Sequence, residues 1–343
     1  MSKLYNVRLE PVGVEMEVEE GETVLSAAFR QGIMLMHGCK EGQCSSCKAI
    51  LIDGDIELLK YSTFALADYE REENYTLLCR TLAHSDITVE LLSYDEDLLT
   101  HAIPVRNYTA RIASIDRLTS DIRGLKLELD QPFKFWAGQY VDITLPGSGL
   151  VRSFSMANPP GENPLAFIIK VYPDGAFSSA LDQELTVGDE LDIKGPYGIC
   201  FRHENRSGHM ILVGGGSGMA PLWSIVNDLV RSGQKRQVTF FYGARTQQDL
   251  FYLDQIEAIR TVLPDFRFIP ALSHEPAGTD WKGETGFIHE VVARHLRDSN
   301  VDDQADAYCC GPPPMIEATV PTLQVSGVEP ERIYVEKFTQ ASH

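Results

Sequence analysis

The sequence predicts a multidomain chain in three parts: a small strand-rich module, an antiparallel β-barrel and a doubly wound α/β domain. Length is the first reason, since 343 residues are enough for two or three domains. The second is a middle stretch dense in short strand-like runs with turn signals between them, the pattern of an antiparallel barrel. The third is a final stretch in which strands and helices alternate, which implies a parallel sheet covered on both faces.

The first part spans residues 1–96. Lys3 to Leu9 and Val14 to Val18 read as two strands joined near Pro11-Val12-Gly13. Thr23 is placed to cap a helix running through Val24, Leu25, Ala28 and Phe29, with Gly32 ending it. Lys48 to Ile52 is a strand, Asp53-Gly54 a turn, and Ile87 to Leu92 a closing strand. Two strands, one helix and short strands around a cysteine-bearing loop fit a β-grasp fold. Tyr94 to Pro104 is polar and acidic and reads as an extended linker.

The second part, residues 103–206, carries strand-like runs at Tyr108–Thr119, Ile122–Leu129, Tyr140–Leu145, Val151–Met156, Ala166–Tyr172 and Glu190–Ile193, interrupted by a helix around Ser178 to Leu185. The third, residues 207–343, opens on Met210-Ile211-Leu212-Val213, an unbroken apolar strand of the kind buried on both faces. A helix from Pro221 to Val230 follows, with proline in its first turn. Val238–Tyr242, Phe266–Leu272 and Ala305–Cys309 are further strands.

Chemistry concentrates first in His37-Gly38-Cys39-Lys40-Glu41-Gly42-Gln43-Cys44-Ser45-Ser46-Cys47, completed by Cys79. Cys-x4-Cys-x2-Cys followed by one distant cysteine is the ligand spacing of a plant-type 2Fe–2S cluster, which takes four thiolates on two irons. Gly38 and Gly42 let backbone N–H groups turn inward toward sulfur. Ser45 and Ser46 are small and able to donate to it. Two plainer uses compete: a structural zinc site and reduced core thiols. Zinc sites usually pair two short knuckles, and this sequence has one. His37 resembles a Rieske-type ligand only superficially, because four thiolates already fill the site; it reads as a loop histidine.

Val213-Gly214-Gly215-Gly216-Ser217-Gly218-Met219-Ala220-Pro221 joins a strand to a helix. Such a turn lets backbone approach a pyrophosphate at a helix N-terminus. It also serves for tight packing, and Met219 departs from the G-x-G-x-x-G fingerprint. Arg152-Ser153-Phe154-Ser155 places an arginine, an aromatic ring and hydroxyls on one strand. These are groups able to neutralise a diphosphate, stack on a flavin and bond its reactive nitrogen, although an ordinary half-buried strand reads the same way.

Taken together, these motifs resemble the ferredoxin–NADP reductase superfamily, and within it the three-part reductase components of bacterial multicomponent oxygenases. The cysteine loop is similar to plant-type ferredoxins. Trp136-Ala137-Gly138-Gln139-Tyr140 resembles the family's P-G-Q-Y strand, and Arg152 to Ser155 its R-x-Y-S, with Phe154 in place of tyrosine. Lys170-Val171 with Gly175-Ala176-Phe177-Ser178 resembles the segment holding flavin ribityl and pyrophosphate, and Gly195-Pro196-Tyr197-Gly198 the turn ending the barrel. Gly214 to Pro221, including Gly216, Ser217 and Gly218, resembles the dinucleotide loop, and Tyr242-Gly243-Ala244-Arg245 the strand end on the adenosine side. Cys310-Gly311-Pro312-Pro313 resembles the C-G-P motif beside the nicotinamide, and Glu336-Lys337-Phe338 the ending whose aromatic shields the flavin.

The resemblance implies a β-grasp 2Fe–2S ferredoxin domain, a β-barrel FAD domain and an α/β NAD domain. Hydride would pass from NADH to FAD, and single electrons through the cluster to an oxygenase. It assigns Ser155 to the flavin nitrogen, Cys310 to the nicotinamide and Phe338 to a displaceable cover. The acceptor it implies is the hydroxylase of a diiron monooxygenase (phenol, toluene or alkane type), with a Rieske dioxygenase or a redox-sensing role as alternatives. After Arg245 the chain offers Asp249 and no second base, which favours NADH over NADPH, though Arg245 alone is able to accept a phosphate.

A net charge of −19 argues against nucleic-acid or anionic-membrane binding. Residues 1–95 hold 17 acidic and 8 basic side chains, which suits either steering of a basic redox partner or plain solubility. No eighteen-residue apolar run and no leader pattern occur, so neither a transmembrane helix nor a signal peptide is expected; a cytoplasmic chain, monomeric on its own, is the expectation. Seven cysteines, four assigned to the cluster, fit a reducing compartment. Cys200 reads as barrel core, Cys309 as a buried strand residue, and Trp136 and Trp223 as core or interface.

Overall fold

The computed structural model describes residues 3–275, 278–297 and 301–338. Its chain divides into two compact units, one of residues up to Arg106 with Gly195–Ile199, the other of Asn107–Lys194 with residues from Cys200 onward. No helix among the described residues is long and apolar enough to cross a membrane.

In the first unit, β1 (Leu4–Glu10) and β2 (Val14–Glu19) form an antiparallel hairpin. Helix α1 (Val24–Arg30) starts where the Thr23 side chain accepts the Ser26 N–H. β3 (Lys48–Asp53), β4 (Ile56–Leu58), α2 (Asp68–Glu72), β5 (Tyr75–Leu77), β6 (Thr81–Ala83) and β7 (Ile87–Leu91) follow. The main sheet runs β2-β1-β7-β3-β5, with β4 and β6 pairing apart. Alternating burial along β1 sends Tyr5, Val7 and Leu9 inward.

The expected linker is corrected here. Within Tyr94–Pro104 a short helix, α3 (Glu96–His101), turns back onto the first unit. Leu98 and Leu99 are buried, and the Leu98 carbonyl accepts the Met34 N–H at 3.0 Å. Two adjacent leucines outweigh the polar composition around them.

The second unit begins with β8 (Arg106–Arg117), β9 (Ile122–Leu129), β10 (Tyr140–Thr144), β11 (Val151–Ser155), β12 (Leu165–Lys170), α4 (Ala176–Gln183) and β13 (Glu190–Tyr197). The strands run β11-β10-β13-β8-β9-β12. An antiparallel bridge between Met156 and Phe167 joins the two ends of this order, closing the expected barrel. Leu125, Leu127, Val141, Ile143, Phe167 and Ile193 fill it.

β14 (Met210–Gly215), α5 (Met219–Ser232), β15 (Val238–Ala244), α6 (Leu253–Val262), β16 (Phe266–Leu272), β17 (Glu284–Thr285), α7 (Ile288–Leu296), β18 (Asp306–Gly311), α8 (Pro313–Val325) and β19 (Ile333–Lys337) complete the chain. The sheet order is β17-β16-β15-β14-β18-β19, with every pair parallel. Met210 and Leu212 face α5 and α6, while Ile211 and Val213 face α7 and α8, which is why β14 is apolar without a break. Successive strands leave β14 in one direction through β15 to β17 and in the other through β18 and β19. The crevice above the carboxyl ends of β14 and β18 is therefore the switch point at which such sheets bind ligands.

Candidate functional site

The cysteine loop lies between α1 and β3, and Cys79 between β5 and β6. The four thiols form two pairs in side-chain hydrogen-bond contact, Cys39 with Cys44 and Cys47 with Cys79. Glu41 N–H and Gln43 N–H donate to Cys39 Sγ at 3.4 and 3.2 Å, and Cys39 N–H to Cys44 Sγ at 3.4 Å. The Ser46 hydroxyl adds a bond to Cys44, as expected from the sequence. The thiol of Cys39 holds Cys44 down at about 4, while the Cys44 thiol and burial push Cys39 up. Cys79 is likewise pushed up by Cys47.

Within each pair one thiol is favoured as the thiolate and the other disfavoured, so holding both as thiolates needs a cation. Among the described residues no three His, Cys, Asp or Glu side chains converge on one ion. Two thiol pairs served by inward N–H groups would suit the two irons of a 2Fe–2S cluster, with two thiolates for each. Gly42, at φ +69°, allows the approach: a Cβ there would lie 2.9 Å from both Tyr61 Cβ and Arg80 Cγ. His37 is buried, with Nδ1 2.8 Å from the Leu35 carbonyl, so it is a loop residue as expected.

In the barrel, β11 alternates Arg152 and Phe154 against Ser153 and Ser155. Phe154 is half-buried, and its ring lies 4.8 Å from that of Phe177. Ser155 is buried on the opposite face. Lys170 ends β12, its Nζ 3.1 Å from Asp121 Oδ2, and Val171 N–H donates to the Asp121 carbonyl. Gly175 precedes α4 with no side-chain cap, leaving first-turn N–H groups for an anion. Ser178 Oγ accepts the Tyr172 N–H at 3.0 Å, fixing that turn. Phe177 points into the barrel core, so its backbone alone is left for a phosphate.

At the switch point, Gly216–Gly218 form a short 3-10 turn running into α5, where Pro221 is the third residue. The Tyr242 hydroxyl donates to the Gly216 carbonyl at 2.8 Å. Gly218 packs so closely on the Cys310 carbonyl that a Cβ would overlap it. Gly214 and Gly311 are paired into the sheet, on β14 and β18. Pro312 caps α8. Arg245 follows β15, its carbonyl taking the His274 N–H at 2.8 Å.

The catalytic candidates meet here. Cys310 on β18 is in register with Glu336 on β19. Ser155 Oγ donates to Glu336 Oε2 at 3.1 Å, and Phe338 N–H to the Gly311 carbonyl at 2.9 Å. Burial pushes the Glu336 carboxyl up to about 8, offset by the Ser155 hydrogen bond. Burial also raises the Cys310 thiol, so a neutral thiol, a hydroxyl and a protonatable acid share one corner. Cys200, expected in the barrel core, instead sits in the cluster shared with α5, with its Sγ 3.9 Å from Cys310 Sγ. Sequence reasoning gives Glu336 no role. The available signal is an acid two residues before Phe338.

The chain matches the 2Fe-2S iron-sulfur cluster binding domain over residues 7–84, the oxidoreductase FAD-binding domain over 109–201 and the oxidoreductase NAD-binding domain over 212–320. It is 44% identical over 344 residues to the reductase component of propane 2-monooxygenase from Rhodococcus jostii, covering 98% of this chain and 91% of that protein. It is 37% identical over 340 residues to the reductase component of phenol 2-monooxygenase from a Pseudomonas species, covering 98% and 95%. The crystal structure of an Amycolatopsis cytochrome P450 reductase superposes with a TM-score of 0.90 at 31% identity, covering 98% of this chain and 100% of that one.

Proposed function

Because the chain belongs to the oxygenase reductase components, three-domain members of the ferredoxin–NADP reductase superfamily with a 2Fe–2S ferredoxin domain, we propose that it feeds electrons from NADH to the hydroxylase of a diiron monooxygenase acting on alkanes or phenols. Its cofactors are FAD, a 2Fe–2S cluster and NADH. When bound, FAD accepts electrons in pairs and releases them singly, and the cluster carries one at a time.

The residues divide the work. Cys39 and Cys44 would hold one iron, and Cys47 and Cys79 the other. Arg152, Lys170, Val171, Gly175, Phe177 and Ser178 line the flavin's ribityl and pyrophosphate, the last three through the α4 N-terminus. Gly214, Gly216, Ser217, Gly218 and Pro221 form the dinucleotide cradle, with Arg245 on the adenosine side. Cys310, Gly311 and Pro312 position the nicotinamide against Ser155. Glu336 holds a proton at Oε, within reach of the Ser155 hydroxyl. Phe338 would cover the flavin face and give way to the nicotinamide.

One observation carries this reading. A hydrogen bond from barrel residue Ser155 reaches Glu336, the sheet neighbour of Cys310. The flavin and nicotinamide motifs thereby share a corner. A monomeric state and a cytoplasmic location, with neither membrane nor nucleic acid as partner, complete the proposal.

The test is anaerobic NADH titration followed by optical and EPR spectra, then turnover with purified hydroxylases. Flavin bleaching, a reduced-cluster signal and product from a diiron hydroxylase are expected. Turnover with a Rieske oxygenase alone reassigns the acceptor, and a cluster that NADH never reduces removes the proposal.

A further inference from the structure

Given the function proposed above, on which the role of Glu275 rests, the switch point sets the direction of the dinucleotide. Cys310 and Glu336 lie on β18 and β19, so the nicotinamide end belongs on that side of β14. With the pyrophosphate at Gly216–Gly218, the adenosine must run the other way, over the carboxyl ends of β15 and β16.

An acid there meets the ribose. The sequence offers Asp249, whose carboxylate caps its own turn. Its Oδ2 accepts the Thr246 N–H at 2.9 Å and the Thr246 hydroxyl at 3.1 Å. A different acid arrives from the next strand. Pairing of β15 with β16 continues past both strand ends, through Ser273 N–H to the Ala244 carbonyl at 3.0 Å and His274 N–H to the Arg245 carbonyl at 2.8 Å. The next residue, Glu275, is thereby delivered beside the turn after Arg245. Gln247 grips both of its oxygens, the backbone N–H on Oε2 at 2.9 Å and Nε2 on Oε1 at 2.8 Å. These bonds hold the Glu275 carboxyl below the usual range, with a further bond from Thr279, so it is ionised at neutral pH. Asp280 Oδ1, 3.5 Å from Gln247 Nε2, adds a second negative charge.

We propose that Glu275, clamped by Gln247, is the residue that faces the adenosine ribose hydroxyls and excludes a 2′-phosphate, setting the preference for NADH over NADPH. The carboxylate accepts from a ribose hydroxyl. A phosphate at the same place carries close to two negative charges and meets like charge, which Arg245 alone does not offset.

The test compares Glu275→Gln and Asp249→Asn with the parent as flavin-loaded full-length proteins. Steady-state kcat/KM is measured for NADH and NADPH, and calorimetric binding for ADP-ribose and 2′-phospho-ADP-ribose. Glu275→Gln is expected to raise NADPH efficiency and 2′-phospho-ADP-ribose affinity about tenfold or more, the effect of removing one repulsive contact. NADH efficiency should change less than about fivefold. Asp249→Asn should leave both ratios unmoved. Ratios unmoved in Glu275→Gln, or moved equally by Asp249→Asn, overturn the proposal. If neither dinucleotide is oxidised while the binding ratio still shifts, the reductase reading fails and the role of Glu275 stands.

Discussion

The buried acid at Glu336 makes stability depend on pH in a calculable way. An unfolded glutamate ionises near its model value of 4.5, whereas in the fold Glu336 ionises at about 8. Below the lower value both states are protonated and the residue contributes no penalty. As pH rises between the two, the unfolded chain loses its proton and the folded one keeps it, so folding loses ground steadily. Above about 8 the loss is complete and constant. At about 1.36 kcal/mol per pH unit the ceiling is about 5 kcal/mol. Glu336 keeps some solvent contact, and screening there brings the expected loss to roughly 2–3 kcal/mol. Glu336→Gln removes the ionisation while keeping an oxygen to accept from Ser155. Thermal unfolding of parent and variant holoproteins from pH 5 to 9 should show a gap in Tm that opens through this window and reaches roughly 5–10 °C, the variant being the more stable at high pH. Parallel profiles would refute the claim that a carboxyl is buried beside Ser155.

Three further outcomes are expected from the same geometry. Cys79→Ser should abolish the cluster's visible absorbance and cytochrome c reduction while FAD binding and ferricyanide reduction by NADH persist, because the missing thiol comes from a segment outside the flavin barrel. Cys310→Ala should slow flavin reduction in single-turnover stopped flow about 10- to 100-fold, with flavin and cluster spectra intact, if Cys310 positions the nicotinamide as proposed. Phe64 is 99% exposed on a segment whose Ser62 N–H bonds the Gly42 carbonyl of the cysteine loop at 2.9 Å. Phe64→Ala should leave ferricyanide reduction unchanged and weaken hydroxylase-coupled turnover about 5- to 30-fold, the usual cost of losing an aromatic anchor.

Local chemistry is legible in the sequence. Three of the four thiols sit at close spacing on one loop, the apolar run from Met210 to Val213 reports burial on both faces, and β9 and β16 begin and end where their patterns do. Features set by distant partners are not. α3 exists because Leu98 and Leu99 find a core elsewhere in the unit. β4, β5 and β6, three residues each, are too short to show a period. Asp249 looks like the acid of the adenosine side because it follows Arg245 closely in the chain, whereas Glu275 reaches the same turn only through the next strand, 28 positions from its partner Gln247. Position along the chain puts Cys200 in the barrel, whereas its sulfur meets Cys310 across 110 residues.

The apolar cluster that unites Ile122, Ala137, Ala157, Ile168 and Cys200 with Met219, Leu222 and Ile225 bears on recombination between such proteins. A crossover that takes the barrel from one parent and the α/β sheet from another splices half a core onto a foreign half, and mismatched volumes result. The thiol-bearing unit is the exchangeable cassette. Gly195–Ile199, which group with it, lie deep in the other stretch of sequence, so a donor of that cassette has to bring its own version of those five residues, and a working chimaera needs seams at Arg106, Lys194 and Cys200.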